Sequence, residues 1–234
     1  TEIPHTAFHH HRIGIHTAET DTQEVAVGLS PILDISSLTP LERDRCEALA
    51  KFQVGQEEPD NPNFKDYGLE SAKALIQLKN SGKADSDANT ILALLARSQG
   101  QPAIARDIAT EVIEAEKRPT RPKIEALRLL AQLAYQSRKH EDAAKLYRQV
   151  TQYQSEAYDY FQLGISEQNS GQTERAITAL KMAVELAPNY VEAHRVLAAI
   201  LGSQGKSEES NKHQQLATQH EQRMKRLWQS AQPR

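Results

Sequence analysis

Five of the chain's nine histidines lie in its first sixteen residues, as His5, His9, His10, His11 and His16. No carboxylate follows Glu2 in that stretch, and neither helical nor clean strand periodicity runs through it. Imidazoles at this density have little use in packing, whereas neutral imidazole is the commonest protein ligand for zinc, copper, nickel and haem iron. The segment therefore reads as a ligand cluster for haem or a transition metal. A disordered tail, a cloning remnant or fortuitous surface histidines would leave the same residues. The single cysteine, Cys46, excludes an internal disulfide, a Cys-based zinc site and covalent haem attachment within this chain. Without a nearby His or basic cluster on its helix, Cys46 reads as a small packing residue.

No other constellation for catalysis is present. The sequence has no glycine-rich phosphate loop, no His-Glu-x-x-His and no Gly-x-Ser-x-Gly elbow. His140, His194, His213 and His220 are separate in sequence and read as surface or packing histidines, His194 as a buried one. A net charge of −3 over 234 residues offers no basic field for nucleic acid. No run of about 18 apolar residues suggests a membrane span. Ten Gly and ten Pro are too few for an all-β sandwich, and 38% hydrophobic residues are too many for a disordered chain. The start at Thr1-Glu2-Ile3-Pro4, with neither Met nor an apolar signal core, is expected to be that of a mature form, a processed product or an excised piece.

The elements that would position any site are set by an internal repeat. Around Ala176, Gly164 lies twelve residues before, Gly171 five before, Ala183 seven after and Pro188 twelve after. Moving 34 residues on places Leu197, Ala198, Gly205, Ser210 and Ala217 in the same slots. Moving 33 back places Leu130, Ala131, Arg138, Ala143 and Val150 there, and a further 38 reaches Leu92, Ala93, Gly100, Ala105 and Val112. One more step of 33 lands on Ala72. Small residues at fixed slots let two antiparallel helices approach closely, while the Gly and Pro slots end helices.

This register resembles the tetratricopeptide repeat over about residues 40–230. The resemblance implies an all-α fold, a right-handed superhelix of antiparallel helix pairs closed by a C-terminal capping helix. The repeats fall at about 40–83, 86–119, 124–156, 157–190 and 191–224, inside a solenoid spanning 39–232. Thr39-Pro40-Leu41-Glu42 is a capping box with Pro at the first helical position, so the first helix starts there. Residues 56–63 form an acidic, Pro-broken insertion, either a tolerated loop or a binding loop. The last helix, from Ser207 to about Gln229, carries Leu216, His220, Met224, Leu227 and Trp228 on one face, with Trp228 also a candidate partner contact. Residues 17–38 read as a linker behind the histidine-rich segment 1–16.

Family slots also imply a partner groove for a protein or peptide. By this register it holds Arg128, Gln132, Tyr135, Tyr158, Phe161, Ile165 and Arg195. The Lys and Asn that clamp a C-terminal carboxylate in chaperone-binding relatives are missing. An aromatic centre flanked by Arg128 and Arg195 suits a peptide with an apolar anchor and an acidic neighbour.

A second resemblance concerns His5-Thr6-Ala7-Phe8-His9-His10-His11-Arg12-Ile13. It is similar to a segment of multihaem c-type cytochromes whose haem region precedes tetratricopeptide repeats. That likeness implies axial ligation by His5 and His11 of haem c held by an upstream region. It also implies electron transfer and a periplasmic or exported location. His9 and His10 stand where that family has Thr and Asp. The alternatives are a plain interaction scaffold and direct metal binding by the N-terminal histidines.

Overall fold

A computed structural model describes residues 36–58, 60–62 and 66–231. The histidines of segment 1–16, the linker up to residue 35 and part of the 56–63 insertion lie outside the described residues. Among the described residues there are ten α-helices and no strand. The chain divides into two compact units, one ending at Gly100 and the other beginning at Gln101.

The first unit holds α1 (Pro40–Glu57), α2 (Tyr67–Asn80) and α3 (Ser86–Ser98). The capping box at the start of α1 is formed in full. Thr39 N–H donates to Glu42 Oε2 at 2.8 Å, and Glu42 N–H donates to Thr39 Oγ1 at 3.3 Å. Because Pro40 has no N–H, two of the three orphan amides at the start of α1 are satisfied this way. The Thr39 hydrogen bonds hold the Glu42 carboxyl below its ordinary value. On α2 the buried stripe is Tyr67, Ser71, Leu75 and Leu78, with Ser71 fully buried and Ala72 only half-buried. The small slot is thus Ser71, not Ala72: the step from Ala105 is one residue longer than the repeat arithmetic assumed. Cys46 is exposed, so it is not a packing residue.

The second unit holds α4 (Pro102–Ala115), α5 (Arg121–Gln136), α6 (His140–Tyr153), α7 (Ala157–Asn169), α8 (Thr173–Leu186), α9 (Val191–Ser203) and α10 (Ser207–Ala231). Each packs on the next. The division at Gly100 falls inside the repeat expected at 86–119.

The turns explain why Gly recurs in one slot. Gly171 and Gly205 take φ of +83° and +76°, a left-handed conformation that costs glycine nothing. Arg138 stands in the same slot at φ +59°, as the non-glycine residue with positive φ among the described residues. Its turn still closes, with Lys139 N–H donating to the Ala134 carbonyl at 2.9 Å. Of the eight slot residues Leu92, Ala93, Leu130, Ala131, Leu163, Gly164, Leu197 and Ala198, all but Leu130 are buried. Leu129, its neighbour, fills the core position instead. Ser210, in the slot where the repeat prefers Ala, donates its hydroxyl to the Ala198 carbonyl at 2.8 Å, so the hydroxyl is satisfied.

Candidate functional site

The expected groove residues sit on α5, α7 and α9, and packing gives them different fates. Arg128 faces α7, where it forms a two-pronged bridge to Asp159. Its Nε donates to Oδ1 at 2.8 Å and its NH2 to Oδ2 at 2.6 Å. The same guanidinium reaches Glu125 and Glu156, each at 2.8 Å. Asp159 is fully buried, so this charge is held entirely by its partners. Burial opposes the charge on Arg128, but the Asp159 hydrogen bonds and the surrounding carboxylates outweigh it and raise the pKa. Arg128 is therefore not a free cation for an acidic ligand, because three carboxylates of this chain already take its donors.

Phe161 is buried rather than lining a groove. It packs with Leu180, Leu197 and Leu201, its ring 4.9 Å from that of Tyr190. Burial, with Glu192 and Tyr158 nearby, pushes the Tyr190 hydroxyl up to about 12. Ile165 is half-buried against the same core. Arg195 stays half-exposed on α9 and pairs with Glu221 of α10 at 2.6 Å.

What the α5–α7 face leaves open is polar and aromatic. Tyr158 is 43% exposed, and its hydroxyl accepts from Gln132 Nε2 at 3.4 Å. The Tyr135 hydroxyl accepts from Asn169 Nδ2 at 2.9 Å, and its ring meets His140 edge-on at 5.0 Å. Asn169 was not foreseen, since no spacing rule marks it. Behind this face Arg148 of α6 bonds to the buried Glu167 of α7.

The structure also gathers histidines that are separate in sequence. His194 is buried, and its Nε2 donates to the Pro188 carbonyl at 2.9 Å. That bond assigns the ring proton, leaving Nδ1 to accept from His213 Nδ1–H at 2.9 Å. His220 stacks on His194 with centroids 6.0 Å apart. The three are thus one cluster between α9 and α10, because i, i+7 spacing on α10 returns His213 and His220 to one helix face. No group of His, Cys, Asp and Glu among the described residues is arranged to hold a metal ion.

The cluster carries a pH dependence. Burial, then the neighbouring His194, Lys212 and Lys181, lower the His213 pKa, with Glu209 opposing. The folded state thus holds His213 neutral where an unfolded chain would bind a proton. Its contribution to stability is full above about pH 6.5, the ordinary imidazole value, and is lost as pH falls from there through the lower folded-state pKa. Protection factors of the α10 amides, corrected for the intrinsic pH dependence of exchange, are expected to fall between about pH 7.5 and about pH 5.5, with those of α5 unchanged. Equal protection of α10 at both pH values would contradict the assignment.

Residues 92–158 match the family model described as Tetratricopeptide repeat. Among curated proteins, none matches the chain. Solved structures similar in fold are those of MamA. One crystal structure of MamA superposes with a TM-score of 0.63 at 15% identity, covering 74% of this chain and 97% of that one. MamA MSR-1 C2 gives 0.62 at 20%, covering 79% and 98%. MamA 41-end from Desulfovibrio magneticus RS-1 gives 0.60 at 17%, covering 75% and 95%. The fold is a TPR-like helical solenoid. Identities this low speak to fold alone, so the solenoid's function has to come from its own surface. Among the described residues, no helix is long and apolar enough to cross a membrane.

Proposed function

We propose that this solenoid is a non-catalytic protein-interaction module whose α5–α7 face takes an extended or helical peptide. The observation that carries the reading is the open strip of Tyr158, Gln132, Tyr135 and Asn169 above a rigid, charge-locked base. Tyrosine gives contact area at little entropic cost, and the two side-chain amides can bond a peptide backbone. Of the two arginines expected in the groove, Arg128 is occupied, and Arg195 is the one an acidic ligand group can pair with in place of Glu221.

Peptide libraries displayed against the full chain test this. Tyr158→Ala is expected to weaken the selected peptides by about thirtyfold, as an interface anchor does, with helicity unchanged. Phe161→Ala should instead lower the melting temperature, since that ring is core. Full-strength peptide binding by Tyr158→Ala would place the partner elsewhere.

A second reading rests on the resemblance of residues 5–13. In it the solenoid follows a multihaem region in the periplasm, with His5 and His11 as axial ligands and His9, His10 and His16 beside them. Haem c would belong to that upstream region, since Cys46 cannot anchor a porphyrin. Several Cys-x-x-Cys-His motifs encoded upstream of Thr1 support this reading; none there ends it.

A further inference from the structure

The last turns of α10 carry a surface that neither the peptide-binding reading nor the capping role uses. The stripe that packs on α9 runs through His213, Ala217 and His220 and continues in the same register to Met224 and Leu227. Glu221 is still tied to α9 through Arg195. Every described side chain beyond it, residues 222–230, is exposed. Met224 is 60% exposed, Leu227 57% and Trp228 73%. The sequence reading expected these three to cover the last apolar face of the solenoid, and they do not.

At 100° per residue, Leu227 and Trp228 lie within about 60° of Met224. Arg223 and Lys225 flank that apolar face at about 100° on either side, and Arg226 lies behind it. No carboxylate occurs between residues 222 and 230. Lys225 reaches back to Glu221 at 3.4 Å while remaining 70% exposed. An apolar face with a Trp and a cationic rim is the arrangement of a helix lying in a lipid headgroup layer. There the ring sits at the interface and Arg and Lys extend to phosphates.

We propose that the C-terminal end of α10 docks on an anionic lipid surface, with Met224, Leu227 and Trp228 entering the headgroup layer and Arg223 and Lys225 pairing with phosphates. Charge decides between occupants. A second copy packed tail on tail would set the Arg223 and Lys225 rims against each other, whereas an anionic bilayer meets them with opposite charge.

Trp228 is the single tryptophan of the chain, so emission excited at the red edge, where the seven tyrosines do not absorb, reports this surface alone. Vesicles of phosphatidylcholine with phosphatidylglycerol are expected to shift its emission to the blue and to co-sediment the protein. Vesicles of phosphatidylcholine alone should do neither, and added salt should reverse both effects. The double variant R223Q and K225Q should lower partitioning by about thirtyfold, with far-UV helicity unchanged. Three results overturn the proposal: no shift with anionic vesicles, an equal shift with neutral ones, or a shift that tracks protein concentration without vesicles. The last of these would mean that a second copy covers the face.

Discussion

Gly164→Leu is expected to destabilise the second unit by about 1–3 kcal/mol through overpacking. A Cβ built on Gly164 would stand 2.6 Å from Leu180 Cγ and 3.3 Å from the Ala176 carbonyl oxygen. Leu180 is itself fully buried and Ala176 is backbone of α8, so neither can yield cheaply. Even Gly164→Ala should lose stability here, although alanine in an open helix position gains up to about 1 kcal/mol over glycine. Gly68 on α2 supplies the control, because a Cβ there meets nothing within 4 Å. Gly68→Ala should leave stability equal or higher. Denaturant titrations of the three variants decide it, and a Gly164→Leu midpoint equal to the parent's would remove the close α7–α8 approach from the account.

Arg128→Ala is expected to cost about 3–5 kcal/mol. The loss is that of leaving Asp159 buried without its two charge-assisted bonds, not the net strength of the bridge. Arg128→Ala with Asp159→Leu should recover much of it, since the uncompensated charge is then gone. Arg195→Ala is the internal comparison. It breaks an equally short pair that lies half-exposed, and should change stability by less than about 1 kcal/mol. A double-mutant cycle on Arg128 and Asp159 measures the coupling. If Arg128→Ala and Arg195→Ala melt alike, burial is not what gives the α5–α7 bridge its strength.

Much of the architecture was legible in local pattern. Helix starts were readable at Thr39–Glu42, where cap and capped group lie three residues apart. Turns were readable at Gly100, Gly171 and Gly205, which all adopt positive φ, and Arg138 could be recognised as the substitute in that slot. Small slots such as Gly164 and Ala176 were readable because close helix approach forces the same residue sizes in every repeat. The slip from Ala72 to Ser71 shows the limit of that arithmetic. A one-residue change in loop length shifts the register without altering composition.

What the sequence determined by itself is therefore the helical solenoid, since caps, turn glycines and small slots act over three to twelve residues. Which side chains remain available was decided by tertiary packing. Arg128 and Asp159 are 31 residues apart, and His194 and His213 are 19 apart. Nothing in their local spacing says that the first pair neutralises itself or that the second shares one hydrogen bond. The same holds for Phe161, which its slot assigned to a groove and the neighbouring helices enclosed. Availability depends on distances between helices, and those distances come from how the side chains of each pair interlock.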